Sequence, residues 1–344
     1  LIDRECVCEF NAMKKKVFVS VVVVLSVVGQ TLAACDGGIL LDLGNTGENA
    51  NDDYYQSLDN PQPFTVRDLV RTDRLSGGVS SPDGKTVAFF RYVWSVNLNV
   101  SSTTLWTVDV STGVAARVTP FAWGISESNA QWTADSSRLI FLSNRGGAGT
   151  QIWTVSSSGT DATQVTDYPL SIQTLLLDAH SNNVAFSVSI FPGTTMELTC
   201  DYLAAKEEGR IPGFGKLDAF LYKKTFIRHW DTWFQGRRNH IFLTKMSVSN
   251  GVVTFAEPRD IMNDWDVDAP TKPYGDMNEW SFSADGKLFA FPRQMSCNEA
   301  GQCDPSVELS DVTWRTDLAI CFAGTEKGGE VTCDTSNPAI DTEP

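Results

Sequence analysis

An all-β chain built from a repeated four-stranded unit is predicted by three observations. A turn signal running into an apolar strand, first seen as "SSPDGKTVAFF" (Ser80 to Phe90), returns three more times. A second strand follows in each copy, with apolar and polar residues alternating, and then a Gly-containing turn and a polar edge strand. Three to four short strands in about 40–50 residues is the repeat of a β-propeller blade. A single blade cannot bury both of its faces, so stacked neighbours must supply the core. A β-sandwich has similar strand spacing, but its turn and strand order does not recur as a unit.

From the N-terminus, residues 1–12 precede the first methionine and carry charge, and they read as upstream residues without a structural role. Met13 opens a segment of "KKK" (Lys14 to Lys16), an apolar run from Val17 to Val28, and the small-residue stretch "QTLAAC" (Gln30 to Cys35). A basic start, a short apolar run and a small-residue cleavage site predict a signal peptide over residues 13–34. The run is shorter than the roughly 20 residues of a membrane span. "LAAC" (Leu32 to Cys35) also resembles a bacterial lipobox. In a bacterial source Cys35 is a lipidation candidate; otherwise it is an ordinary cysteine beside the cleavage site. Residues 35–63, rich in Gly, Asn and Asp, read as a linker. "FTVRDLVRTDRLSGG", from Phe64, predicts a short helix or turn and then a strand.

The first unit then runs through "SSPDGKTVAFF", "TTLWTVDVSTG" (Thr103 to Gly113) and "AARVT" (Ala115 to Thr119). The second comprises "QWTADSSRLIFLSNR" (Gln131 to Arg145), "TQIWTVSSSG" (Thr150 to Gly159) and "ATQVT" (Ala162 to Thr166). The third opens with "LLLDAHSNNVAFSVSIF" (Leu175 to Phe191) and resumes, after an insertion over residues 192–238, with "NHIFLTKMSVSNG" (Asn239 to Gly251). The fourth is "EWSFSADGKLFAFPRQ" (Glu279 to Gln294) and "TDLAICFAGTEKGG" (Thr316 to Gly329). Asp83, Asp135 and Asp285 sit in the recurring turns, where a carboxylate caps nearby backbone N–H groups; they are expected to be turn formers rather than catalysts. Four units end where "SNPAIDTEP" would begin another blade, so an incomplete ring is expected. Within the insertion, "TMELTCDYLAAKEEG" (Thr194 to Gly209) predicts a short helix with Thr at its start, Glu197 in its first turn and Gly209 as its cap.

The composition is that of a globular chain: 344 residues, 42% hydrophobic and 20% charged. Length alone suggests about two domains, although an all-β fold can spend about 200–250 residues on one. A net charge of −15 argues against nucleic acid and anionic membrane as partners. Export implies an oxidising compartment. Cys6 and Cys8 fall before the mature chain. Cys297 and Cys303 bracket "NEAGQ", and Cys321 and Cys333 bracket a Gly-rich turn, so two local disulfides are expected, with Cys200 left over. No cysteine or histidine spacing reads as a zinc site, and no metal or cofactor is expected. "DWDVDAP" (Asp264 to Pro270) has a D-x-D-x-D run, but Ala269 stands where a calcium loop needs Gly, and the run reads as a solvated acidic loop. Asn99-Val100-Ser101 is a glycosylation sequon if the source is eukaryotic.

Three stretches carry a more specific likeness: "FIRHWDTWFQGRRNHIFL" (Phe226 to Leu243), "DVDAPTKPYGDMNEWSFSADGK" (Asp266 to Lys287) and "FTVRDLVRTDRLS" (Phe64 to Ser76). On these residues the chain from Phe64 onward resembles the N-terminal propeller of prolyl oligopeptidase-type serine peptidases, in the branch of dipeptidyl peptidase V and acylaminoacyl peptidases. The resemblance implies an exported two-domain hydrolase whose propeller filters peptide substrates before a C-terminal α/β-hydrolase domain with a Ser-Asp-His triad. The whole protein would then cut dipeptides from peptide N-termini through an acyl-enzyme.

No triad residue carries over to this chain. A nucleophile elbow needs G-x-S-x-G, and the nearest stretch, "GISES" (Gly124 to Ser128), lacks the last Gly. His180, His229 and His240 all fall within the blade region. The expectation is a chain without peptidase activity of its own, its hydrolase domain lying outside these 344 residues. A TolB-like propeller scaffold that binds protein partners is the alternative.

The insertion supplies the binding candidates. Lys216 to His240 holds six Lys or Arg against two Asp, reversing the charge of the rest of the chain. Arg228, Arg237 or Arg238 suit a substrate carbonyl or carboxylate. Trp230 and Trp233 suit apolar walls, and Asp231 lies between them. The alternative is structural: Arg228 pairs with Asp231 across a turn and the tryptophans plug gaps between blades. Where relatives bear acidic residues for a substrate amine, "RYVWSVNLNV" (Arg91 to Val100) has none, which leaves Glu197 and Asp201 on the insertion as candidates.

Overall fold

The computed structural model describes residues 63–147, 149–159, 161–207, 227–272, 274–297, 303–304 and 317–334. The predicted signal peptide, Cys35 and almost all of the linker lie outside the described residues. The chain divides into two units, one ending at Thr166 and one running from Asp167. Each contains two antiparallel sheets of the expected blade type, so the propeller-type reading holds at the level of the individual blades.

In the first unit, helix α1 (Val66–Arg71) is started by Thr65, whose hydroxyl accepts from the Asp68 amide at 3.3 Å, while the Asp68 carboxylate accepts from the Thr65 amide at 2.7 Å. Strands β1 (Arg74–Ser80), β2 (Thr86–Ser95), β3 (Val100–Asp109) and β4 (Ala115–Arg117) then form a sheet in chain order. A second sheet repeats that order with β5 (Glu127–Trp132), β6 (Arg138–Ser143), β7 (Gln151–Ser156) and β8 (Thr163–Gln164). The period-2 pattern decides what meets. Ala88, Phe90 and Leu105 leave the first sheet to pack on Trp132, Leu139, Phe141 and Val155 of the second. Strand β6 is buried along its whole length, as its apolar run requires. The Trp132 indole N–H donates to the Val79 carbonyl at 3.1 Å, tying the two sheets.

In the second unit, β9 (Ile172–Leu177) and β10 (Asn183–Ile190) precede the insertion, which holds helix α2 (Met196–Glu207) and a two-stranded hairpin of β11 (Arg228–His229) and β12 (Thr232–Trp233). The sheet resumes with β13 (Arg238–Ser249) and β14 (Val252–Phe255), and β15 (Arg259–Asp260) also pairs with β13. The last sheet holds β16 (Ser281–Phe282), β17 (Leu288–Cys297), β19 (Asp317–Gly324) and β20 (Val331–Asp334), with the short β18 (Cys303–Asp304) on β17. The core between these two sheets joins Ala185, Ile241 and Leu243 to Phe289, Phe291, Cys321 and Ala323, with Trp280 and Met262 filling in.

The turn aspartates do the work expected of them. Asp83 accepts from the Ser81 hydroxyl at 2.6 Å and the Lys85 amide at 3.1 Å. Asp135 accepts from Thr133 and Ser137. Asp285 accepts from the Ser283 hydroxyl at 2.8 Å and the Lys287 amide at 3.1 Å. These bonds hold all three carboxyls below the ordinary range, Asp285 at about 2, where the Ser283 hydroxyl is the largest cause. The third unit has its own member, Asp178, which takes the Asn182 and Asn183 amides at 2.7 and 3.1 Å.

The cysteine expectations divide. Cys321 and Cys333 face each other across β19 and β20 and are disulfide-bonded as predicted. Cys297 and Cys303 are opposite each other in the β17–β18 register, but their side chains lie outside the described residues. Cys200 corrects the sequence reading: it is buried on α2 and disulfide-bonded rather than left over. Nothing in its local sequence marks a distant partner. Among the described residues, no helix is long and apolar enough to cross a membrane.

Candidate functional site

Helix α2 begins where Thr195 accepts the Leu198 amide at 3.2 Å, and Thr199 anchors it by donating its hydroxyl hydrogen within a buried cluster with Thr194 and by accepting from the Phe191 amide at 3.1 Å. Glu197 and Asp201 are exposed on it. Among the described residues, no hydrogen bond or ion pair joins Glu197 to the β11–β12 hairpin.

The hairpin is built from its base upward. The Phe234 amide donates to the Ile227 carbonyl at 2.9 Å, and the Phe234 ring lies 4.4 Å beneath the Arg238 guanidinium. Arg238 is held in turn by Asp266 at 2.6 Å and Asp268 at 3.1 Å. Burial acts to lower the Arg238 pKa, but the two carboxylates outweigh it and the net shift is upward. Asp268 is buried and also takes the Asn239 amide at 2.8 Å and Lys272 at 3.0 Å. This corrects the reading of "DWDVDAP" as a solvated loop: two of its carboxylates are the counter-ions of Arg238. Two donor atoms of Arg238, Nε and Nη1, are thus engaged by the acids of that loop.

Above that base, Arg228 and Trp233 are directly opposite in the hairpin, with the guanidinium 5.3 Å from the indole centroid. The alternative expectation of an Arg228–Asp231 pair is not met among the described residues; Arg228 stacks on Trp233 instead, a cation–π contact. Asp231 is exposed at the turn, and Arg237 is half-buried. The tryptophans do not plug a gap between blades either, because Trp230 is 66% and Trp233 46% exposed. Trp230 occupies the tight turn with φ +46°, the left-handed region that favours Gly or Asn. Holding a bulky residue there costs on the order of 1–3 kcal/mol.

The residue that sequence reading missed is Tyr274. It is 79% exposed, and its ring meets Trp230 edge-on at 5.5 Å. A small buttress presents it. The Glu279 carboxylate accepts from the Thr271 amide at 2.8 Å and the Thr271 hydroxyl at 2.5 Å, and the Gly275 amide returns to the Thr271 carbonyl at 2.7 Å. Burial pushes the Glu279 carboxyl upward, against the pull of those two bonds. An aromatic ring between turn formers, in "TKPYGD", was the available signal.

His240 is fully buried, with Nδ1 2.9 Å from the Asp260 carboxylate and Nε2 2.9 Å from the Trp265 carbonyl, so both of its nitrogens are engaged in the scaffold. Among the described residues, no group of three or more His, Cys, Asp or Glu is placed to hold a metal ion. What the site presents is a stacked guanidinium beside three exposed aromatic rings, an arrangement suited to binding rather than to bond-breaking.

No family model matches the chain. Among curated proteins it is similar to dipeptidyl-peptidase 4 of Giardia intestinalis, with 24% identity over 272 residues, which is 72% of this chain and 35% of the relative. It is also similar to dipeptidyl-peptidase 5 of Porphyromonas gingivalis, with 27% identity over 283 residues, covering 81% of this chain and 35% of the relative. Among solved structures, the acylaminoacyl peptidase of Pyrococcus horikoshii matches 77% of this chain and 33% of its own, with 10% identity and a TM-score of 0.46. The chain thus has dipeptidyl-peptidases as homologues, and it spans about a third of the length of the curated relatives it matches.

Proposed function

We infer that this chain is the propeller portion of an exported serine exopeptidase that releases dipeptides from peptide N-termini. The observation that carries this reading is its similarity to dipeptidyl-peptidases over 72% and 81% of its own length. The chain's part is to restrict access: its blades admit small peptides and exclude folded proteins. Bond cleavage belongs to a hydrolase domain outside these residues, with a serine as nucleophile and a histidine as its base. No G-x-S-x-G stretch occurs in the 344 residues that would supply that nucleophile. Arg228, Trp230 and Trp233 contact the passing peptide, and Glu197 on α2 is the candidate for its amine.

Export proceeds by cleavage near Ala34. In a bacterial host Cys35 then carries a lipid; in a eukaryotic one Asn99, exposed at the tip of the β2–β3 hairpin, carries a glycan. Mass spectrometry of the secreted product reads both.

The test is the transcript that carries this chain. Downstream of Pro344 the frame is expected to continue to a G-x-S-x-G segment and then to Asp and His. A stop codon soon after Pro344, or hydrolysis of a dipeptidyl anilide by the purified 344-residue chain that a serine-directed phosphonate blocks, overturns the reading. The first of these outcomes favours a binding scaffold.

A further inference from the structure

We propose that the tip of the β11–β12 hairpin, with Tyr274, is a recognition site for peptides that carry a carboxylate next to an aromatic or aliphatic side chain. The choice of a peptide as ligand rests on the function inferred above; the carboxylate and its apolar neighbour are read from the site.

Three observations converge. Arg228 is exposed, and among the described residues it has no hydrogen-bond or ion-pair partner, only the Trp233 ring at 5.3 Å. An exposed guanidinium over an indole face keeps N–H donors in water, where they can take a carboxylate through two parallel bonds. In a chain with a net charge of −15, an exposed arginine without an acidic partner among the described residues is matched to an acidic ligand. The second observation is Trp230, held at φ +46° in a turn where glycine would sit without strain. Its indole gains little burial from that position, being 66% exposed. The third is Tyr274, 79% exposed, whose edge meets that indole at 5.5 Å while Glu279 and Thr271 hold its loop. Folding stability accounts for neither ring, whereas a ligand side chain laid across both accounts for the pair.

The carboxylate has two sources, a free peptide C-terminus or an acidic side chain. Calorimetric titration of the 344-residue chain with three peptides separates them: Ala-Ala-Leu-Phe as the free acid, the same peptide as its C-terminal amide, and Ala-Ala-Asp-Phe amide. At low salt at least one carboxylate-bearing peptide is expected to bind about tenfold or more tightly than the neutral amide, with the advantage shrinking as salt rises. Preference for the free acid alone identifies the C-terminus; preference for the Asp peptide alone identifies a side chain. Arg228→Gln is expected to erase the preference and bring the three affinities together. Trp230→Gly is expected to weaken all three while the melting temperature stays level or rises. Equal affinities for the three peptides, no binding of any, or a preference that survives Arg228→Gln overturns the proposal. The readout needs no hydrolysis, so a missing hydrolase frame with intact carboxylate preference defeats the inferred function alone, and the reverse pair of results defeats this site alone.

Discussion

Glu127 grips Arg145 with a single oxygen, Oε1, which accepts from Nη2 at 2.6 Å and from Nε at 3.2 Å, inside the packing between the first two sheets. Its other oxygen accepts from the Thr119 hydroxyl at 2.6 Å and the Leu105 amide at 2.7 Å. One carboxylate on β5 therefore ties β3 and the end of the first sheet to the strand connection of the second.

Glu127→Gln is expected to lower unfolding stability by about 1–3 kcal/mol, because it leaves a partly buried guanidinium without its counter-charge and weakens charge-assisted hydrogen bonds. Urea unfolding monitored by tryptophan fluorescence measures this. The double variant Glu127→Gln/Arg145→Met is expected to recover part of the loss. If both variants are as stable as the parent, the pair is not a structural tie.

The Asp285 carboxyl, lowered to about 2 by the Ser283 hydroxyl and then the Lys287 amide, should titrate in the folded protein well below its ordinary 3.8. A depressed folded pKa contributes stability that is fully present above the unfolded value and is lost as pH falls from about 4 towards 2. Carbon-13 NMR titration reads the midpoint directly. Ser283→Ala is expected to move it up towards 3.8, and an unmoved midpoint would assign the shift elsewhere.

Two glycines in equivalent turns should respond unequally to alanine. Gly84 has φ +71° and open space around a Cβ, whereas Gly286 has φ +68° and a Cβ there would lie 2.6 Å from Asp178 Oδ2. Gly84→Ala is expected to cost about 1 kcal/mol in backbone strain. Gly286→Ala should cost more, because it also pushes on the Asp178–Asn183 contact. Comparing the two thermal unfolding midpoints checks the order.

The Cys321–Cys333 bridge closes a loop with a sequence separation of 12. Replacing both residues with serine is expected to cost about 3 kcal/mol through the freed unfolded chain. Thiol labelling of the denatured, unreduced chain followed by peptide mapping should find no label at Cys200, Cys321 or Cys333. A labelled Cys200 would restore the leftover thiol that its sequence position suggests.

Blade strands, turn aspartates and helix α2 are all written in short-range chemistry, and they were legible for that reason. A carboxylate two residues from an amide, or an apolar residue at every second position, specifies its contacts without knowledge of the rest of the chain. Asp83, Asp135 and Asp285 could be assigned to turns from four residues each. The candidate site was legible only in its composition: basic and aromatic residues in an acidic chain.

What the letters left open is which partner each side chain takes, even within one hairpin and more so between residues far apart in the chain. Arg238 took Asp266 and Asp268, Arg228 took Trp233 rather than Asp231, and Trp230 met Tyr274. Local pattern assigns a side chain to a face, but many partners of similar chemistry are compatible with that face. Which of them arrives is set when the strands between them pack, and that is a property of the folded chain.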